Sequence, residues 1–73
     1  MSKLIDARGL SCPEPVIMIR KAMASNDNEY EMVVDNVVSK ENVTRYATHQ
    51  GFSVDVTEQN GEYSLKIKKW NNI

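Results

Sequence analysis

The segment Ser11-Cys12-Pro13-Glu14-Pro15 holds the one residue of the chain best suited to nucleophilic chemistry, the thiol of Cys12. Proline is tolerated in the first turn of a helix, where backbone N–H groups have no intrahelical partner. Pro13 and Pro15 therefore fit the first and third helical positions. A residue before proline is pushed towards extended backbone. Cys12 is accordingly expected at the N-cap, outside the helix but fixed against its end. The positive end of a helix dipole and its free N–H groups favour a thiolate, which is the nucleophilic form. Arg8, four residues upstream, is a candidate source of further positive charge. No neighbouring base is evident, and His49 is remote in sequence, so Cys–His hydrolysis is not supported. A lone cysteine is also among the most buried residue types and commonly acts as a small hydrophobe. The two helix-start prolines favour the reactive reading.

The helix that follows, expected from about Pro13 to Ser25, is amphipathic. At 3.6 residues per turn, Val16, Met18, Ile19, Ala22 and Met23 share an inner face. Pro13, Ile17, Arg20, Lys21 and Ala24 fall outside. Ile17, Arg20 and Lys21 then form, with Pro13, a candidate strip for docking a partner. The plainer alternative is a solvated helix face with a single exposed apolar residue, which is common. The four methionines read as core filler.

Five further elements must position this segment. Lys3 to Ala7 reads as a short strand, with Ile5 and Ala7 on one face, and Arg8 to Ser11 as a loop. Asn26-Asp27-Asn28 ends the first helix. In Glu29 to Asp35, Tyr30, Met32 and Val34 alternate with more polar neighbours, as a half-buried strand does. Ser39 is expected to cap a second helix, with Glu41 in its first turn and Val43, Ala47 and Tyr46 turned inward. That helix runs to about Gln50, where Gly51 suits the C′ position and Phe52 folds back on the last turn. Phe52, Val54 and Val56 alternate with polar residues, as do Tyr63, Leu65 and Ile67. Asn60-Gly61 between these strands is a hairpin signal. Trp70 to Ile73 receives no assignment. The order β-α-β-α-β-β predicts an α/β (α+β) two-layer sandwich: a mixed four-stranded sheet, wet on one face, with two helices on the other.

Length and composition bound the rest. Seventy-three residues suffice for one domain, residues 1–73, with a modest core and little room for a deep pocket. Chemistry is then expected at a surface residue, in company with another protein. Nine basic residues nearly balance ten acidic ones, which gives no global attraction to nucleic acid or membrane. No apolar run reaches the length of a membrane span, and no secretion signal is evident. A single cysteine forms no internal disulfide, and with one histidine it falls short of a structural zinc site. No metal or organic cofactor is expected, and the cytoplasm is the expected location.

The stretch Ile5-Asp6-Ala7-Arg8-Gly9-Leu10-Ser11-Cys12-Pro13-Glu14-Pro15-Val16, followed by Arg20-Lys21-Ala22, closely resembles the signature of the TusA/SirA-like sulfur-carrier family. Its C-P-x-P element with an upstream D-x-x-G-L is specific, and the order of elements agrees with the family's fold. The resemblance implies that Cys12 accepts sulfane sulfur from a cysteine desulfurase or another donor protein. It would carry the sulfur as a persulfide, a reversible cap on an accessible thiolate, and hand it to a downstream acceptor protein. Asp6, Gly9 and Glu14 match the motif. Gly9 suits an unusual loop conformation. Asp6 suits either pinning of the loop or contact with a partner. Glu14 suits helix initiation or recognition at the mouth of the site.

The second half, with Val34-Asp35-Asn36, Glu41-Asn42-Val43-Thr44-Arg45 and Gly51-Phe52-Ser53-Val54, looks more like the N-terminal domain of the YedF-like group, linked to selenium or sulfur metabolism. A role in tRNA thiolation does not follow. The leading expectation is a sulfur carrier, possessing one covalent intermediate of a relay rather than acting as a self-contained enzyme. The alternatives are a non-catalytic interaction or regulatory module, a selenium-metabolism domain and a thiol redox sensor. Direct nucleic-acid binding is disfavoured, because Lys66, Lys68 and Lys69 lie along one strand, where lysines more often protect a sheet.

Overall fold

The computed structural model describes residues 3–11, 13–25 and 27–69. Cys12, Asn26 and Trp70 to Ile73 lie outside the described residues. The elements are β1 (Lys3–Asp6), α1 (Glu14–Met23), β2 (Glu29–Val34), α2 (Val37–His49), β3 (Phe52–Gln59) and β4 (Glu62–Lys69). The sheet order is β1-β2-β4-β3. β1 and β2 are parallel, whereas β4 runs antiparallel to both β2 and β3. The expected mixed four-stranded sheet with two helices is therefore what forms.

These pairings sort the molecule into two ends. The chain leaves β1 and β2 at one end, where α1 and α2 begin and the β3–β4 hairpin turns. Both helices finish at the other, where β3 begins and β4 finishes. Binding and catalytic groups in α/β sheets gather where parallel strands give way to helices. Here that is the end carrying residues 7–11.

The core is the predicted face of each strand. Tyr30, Met32 and Val34 of β2 and Leu65 and Ile67 of β4 are buried, and Ile19, Val43 and Ala47 of the helices close over them. Tyr30 stacks obliquely on Phe52, with ring centroids 5.9 Å apart. Its hydroxyl accepts the Asp27 N–H at 3.1 Å, so the polar tip of a buried ring is satisfied. One position departs from the alternation. Val56 pairs with buried Leu65 but is 42% exposed, because β3 is an edge strand. At the hairpin, Asn60 and Gly61 take φ of 54° and 79°, the left-handed pair that a two-residue turn between twisted strands requires.

Helix boundaries shift from expectation for local reasons. The N-cap of α1 is Pro13, not Cys12, and Pro15 is the second helical residue rather than the third. The Glu14 N–H turns back to the Ser11 carbonyl at 2.9 Å, so Glu14 is the first residue in helical register. Its carboxylate lies in the first turn, where the dipole favours it. At the other end, Ala24 and Ser25 donate to the carbonyls three residues back, at 3.2 and 3.1 Å, and this tightening ends α1 at Met23.

For α2 the cap is Asn36, not Ser39. The Asn36 backbone is extended, and its Oδ1 accepts the Ser39 N–H at 2.8 Å. β2 stops at Val34, so the first capable side chain after it takes the role. The first turn is then Val37-Val38-Ser39 and contains no acid, which places Glu41 beyond it. Ser39 is buried, and its hydroxyl has no hydrogen-bond partner.

The two candidate caps predict opposite outcomes. Asn36→Ala should lower the unfolding free energy by about 1 kcal/mol, the usual worth of a cap. Ser39→Ala should leave it unchanged or raise it, because it removes a buried unsatisfied hydroxyl. Urea denaturation of both variants checks this.

Candidate functional site

The loop between β1 and α1 is short and exposed, yet its backbone is fixed at several points. It leaves the sheet through buried Ala7, whose N–H donates to the Val33 carbonyl at 2.9 Å. Asp6 then folds the chain: its Oδ1 accepts the Arg8 N–H at 3.1 Å. The Arg8 guanidinium closes over the same carboxylate, with Nε 2.9 Å from Oδ1 and Nη2 2.8 Å from Oδ2. This two-pronged geometry is the strong form of an Arg–carboxylate pair. The remaining prong, Nη1, reaches Glu62 Oε2 at 3.3 Å, tying the loop to the start of β4. Arg8 therefore serves two carboxylates, and its charge is offset where it stands.

Gly9 has φ of 79°, which allows its N–H to meet Asp35 Oδ2 at 2.8 Å. One residue on, the Leu10 carbonyl accepts the Asn36 Nδ2–H at 3.3 Å. Asn36 thus uses one side-chain atom to cap α2 and the other to hold the loop. Ser11, Pro13 and Glu14 are exposed, whereas Pro15 is buried and seats the first turn of α1 on the core. Pro15 costs the helix nothing there, because its position has no intrahelical acceptor to serve.

Sequence reasoning pointed to Asp6, Arg8, Gly9, Pro13, Glu14 and Pro15, and all six lie along this loop or the first turn it feeds. Cys12, between Ser11 and Pro13, is outside the described residues. The candidate docking residues spread along α1. Ile17 is half-buried and apart from the residues that pack on the core. Arg20 and Lys21 are exposed in the last turn, roughly 10 Å along the axis from the loop. His49 ends α2, roughly 20 Å from that helix's start by the rise per residue, so no histidine approaches the loop.

Asp35, Asn36 and Glu62 are not among the residues that the sequence motif assigns to the site. Asp35-Asn36 carried a readable signal, two cap-forming residues between a strand and a helix. Glu62 did not, since only the sheet register brings it to Arg8. Among the described residues, no group of three His, Cys, Asp or Glu side chains is placed to hold a metal ion. No described helix is long and apolar enough to cross a membrane.

The Asp6–Arg8 contact is exposed, so its energetic worth is modest, but it is legible in titration. The Arg8 hydrogen bonds lower the Asp6 carboxyl from 3.8 to about 2, and Arg8 is held more firmly protonated in return. A lowered folded-state value means that the carboxylate stabilises the loop above pH 3.8 and loses that effect as pH falls through about 2. Nuclear magnetic resonance titration should find the Asp6 midpoint near 2, returning towards 3.8 in Arg8→Ala.

Comparison with known proteins assigns the chain to a family. Residues 3–69 match the family described as "Sulfurtransferase TusA". A curated relative, "Putative sulfur carrier protein MJ0990" of Methanocaldococcus jannaschii, is 33% identical over 70 residues, covering 92% of this chain and 93% of its own. The crystal structure of a SirA-like protein from Desulfitobacterium hafniense superposes with a TM-score of 0.84 at 33% identity, over 93% of this chain and 96% of that one. A family match over nearly the whole chain, a relative of equal extent and a shared fold lead to one conclusion: the chain belongs to the TusA/SirA-like family of sulfur carriers.

Proposed function

We propose that Cys12 accepts a sulfane sulfur from a donor protein, holds it as a persulfide and passes it to an acceptor protein. One observation carries this reading. The loop on either side of Cys12 is exposed, yet held to β2, α2 and β4 through named bonds, at the end where both helices begin. A carrier needs that combination. The sulfur must be reachable by two different proteins, and its position must be the same for each.

The chemistry is an exchange between sulfurs. A thiolate at Cys12 attacks the outer sulfur of a donor persulfide. The new S–S bond forms at Cys12 as the donor's S–S bond breaks, and the donor cysteine leaves as a thiolate. The second step repeats this with the Cys12 persulfide as donor and a thiolate of the acceptor as nucleophile. Neither step changes the overall redox state, so no separate oxidant or reductant is required. Sulfur is preferred to selenium as the cargo because the family and the archaeal relative are both described in terms of sulfur. A cysteine desulfurase is the natural class of donor, since it generates a protein persulfide from free cysteine.

Intact-protein mass spectrometry after incubation with a cysteine desulfurase and cysteine tests the reading. The mass should rise by one sulfur atom, the gain should vanish on reduction, and Cys12→Ser should show no gain while keeping its circular dichroism spectrum. No gain from the desulfurase or from a small persulfide would sink the carrier reading and favour a non-catalytic interaction module.

A further inference from the structure

The loop end carries an unpartnered apolar rim. Leu10 is 36% exposed, and Val37 and Val38, the first two residues of α2, are 47% and 58% exposed. The Asn36–Leu10 hydrogen bond brings the two stretches together, and exposed Pro13 continues the surface towards α1. These β-branched residues lie outside the core cluster, and their grouping beside the motif loop offers apolar surface for contact.

What surrounds the rim indicates its occupant. The near-neutral net charge hides a separation along the strand axis. At the loop end, residues 6–14, 35–41 and 57–63 carry six acids, Asp6, Glu14, Asp35, Glu41, Glu58 and Glu62, against two bases, Arg8 and Lys40. At the far end, residues 20–29, 45–53 and 67–69 carry five bases, Arg20, Lys21, Arg45, Lys68 and Lys69, against two acids, Asp27 and Glu29, while Lys66 lies between the ends, level with Glu31 and Asp55. Both bases at the loop end are already engaged, Arg8 by Asp6 and Glu62, and Lys40 over the Tyr63 ring at 5.0 Å. An approaching molecule therefore meets a small apolar contact set in a negative field.

We infer that the Leu10–Val37–Val38 rim is the docking surface for the protein that delivers sulfur to Cys12, and that this protein presents its cysteine on an apolar segment ringed by lysine or arginine. The inference rests on the carrier reading of Cys12 and adds the chemistry of the partner. The apolar rim supplies contact, while the acidic surround supplies orientation and speed of encounter. A second copy of this chain is the other complementary surface, its basic end against this acidic one. Such head-to-tail contact builds rings or open filaments rather than a simple pair, and it would cover the loop that has to exchange sulfur.

Defined probes separate these possibilities. Three short peptides of equal length each carry one persulfidated cysteine between leucines, with outer residues of lysine, serine or glutamate. Sulfur gain at Cys12 is followed by mass spectrometry in low and high salt. At low salt the lysine peptide should load Cys12 about tenfold or more faster than the glutamate peptide, within the usual range of electrostatic steering. The gap should close at high salt. In a Glu41→Lys, Glu58→Lys double variant the lysine peptide should slow, the glutamate peptide should speed up and the serine peptide should be unchanged. Val38→Ser should slow all three.

Equal loading by the three peptides at every salt concentration would overturn the docking inference and leave the carrier reading intact. Failure of all three, and of a small persulfide, would remove the carrier reading and this inference with it. Sedimentation showing self-association at low salt, abolished by the charge reversals, would assign the rim to a second copy instead.

Discussion

The two side chains that follow β2 are the constraint on which the site depends. Asp35 takes the Gly9 N–H, and Asn36 takes the Leu10 carbonyl while capping α2. A loop of this length, open to water, would otherwise sample many conformations, each residue gaining backbone entropy of roughly 1–2 kcal/mol when released. Hydrogen bonds to residues that are themselves fixed by a strand end and a helix start offset that freedom. The same atoms that begin α2 also define the path of the chain into α1. Positioning of the loop and nucleation of the second helix are thus one structural event.

The division of labour along the loop follows from residue chemistry. Gly9 supplies a backbone conformation that other residues adopt at a cost. Pro13 and Pro15 stiffen the entry to α1, and burial of Pro15 anchors that entry to the core. Asp6 and Arg8 form a surface fork whose contribution is geometric more than energetic. Each of these residues is accounted for by its part in shaping the loop.

Much of this was legible in the amino-acid order. The alternation in β2 and β4, the Asn60-Gly61 turn and the inward stripe of α1 each rest on a short-range pattern that tertiary packing did not override. The departures have physical reasons. Ser39 satisfies the rules for a cap as well as Asn36 does, and only the end of β2 at Val34 decides between them. Val56 obeys the alternation of its strand but lies on an edge, a fact about strand order that no local pattern contains. Within the site, the motif residues were readable, whereas Glu62 reaches Arg8 only through the β2–β4 register. The charge separation was equally hidden, because composition counts charges and only topology assigns them to ends.

The anchors of the motif loop all come later in the chain than the loop itself. Asp35 and Asn36 follow Gly9 and Leu10 by 26 residues, and Glu62 follows Arg8 by 54. A chain made from its N-terminus therefore exposes its cysteine well before anything can hold that segment in place, and the last tie waits for the final strand. Truncated or half-made copies would carry the motif segment on a loose tether, without the hydrogen bonds that set its path. Order in the motif loop is in this way coupled to completion of the sheet, so that only the finished fold presents that segment in one shape.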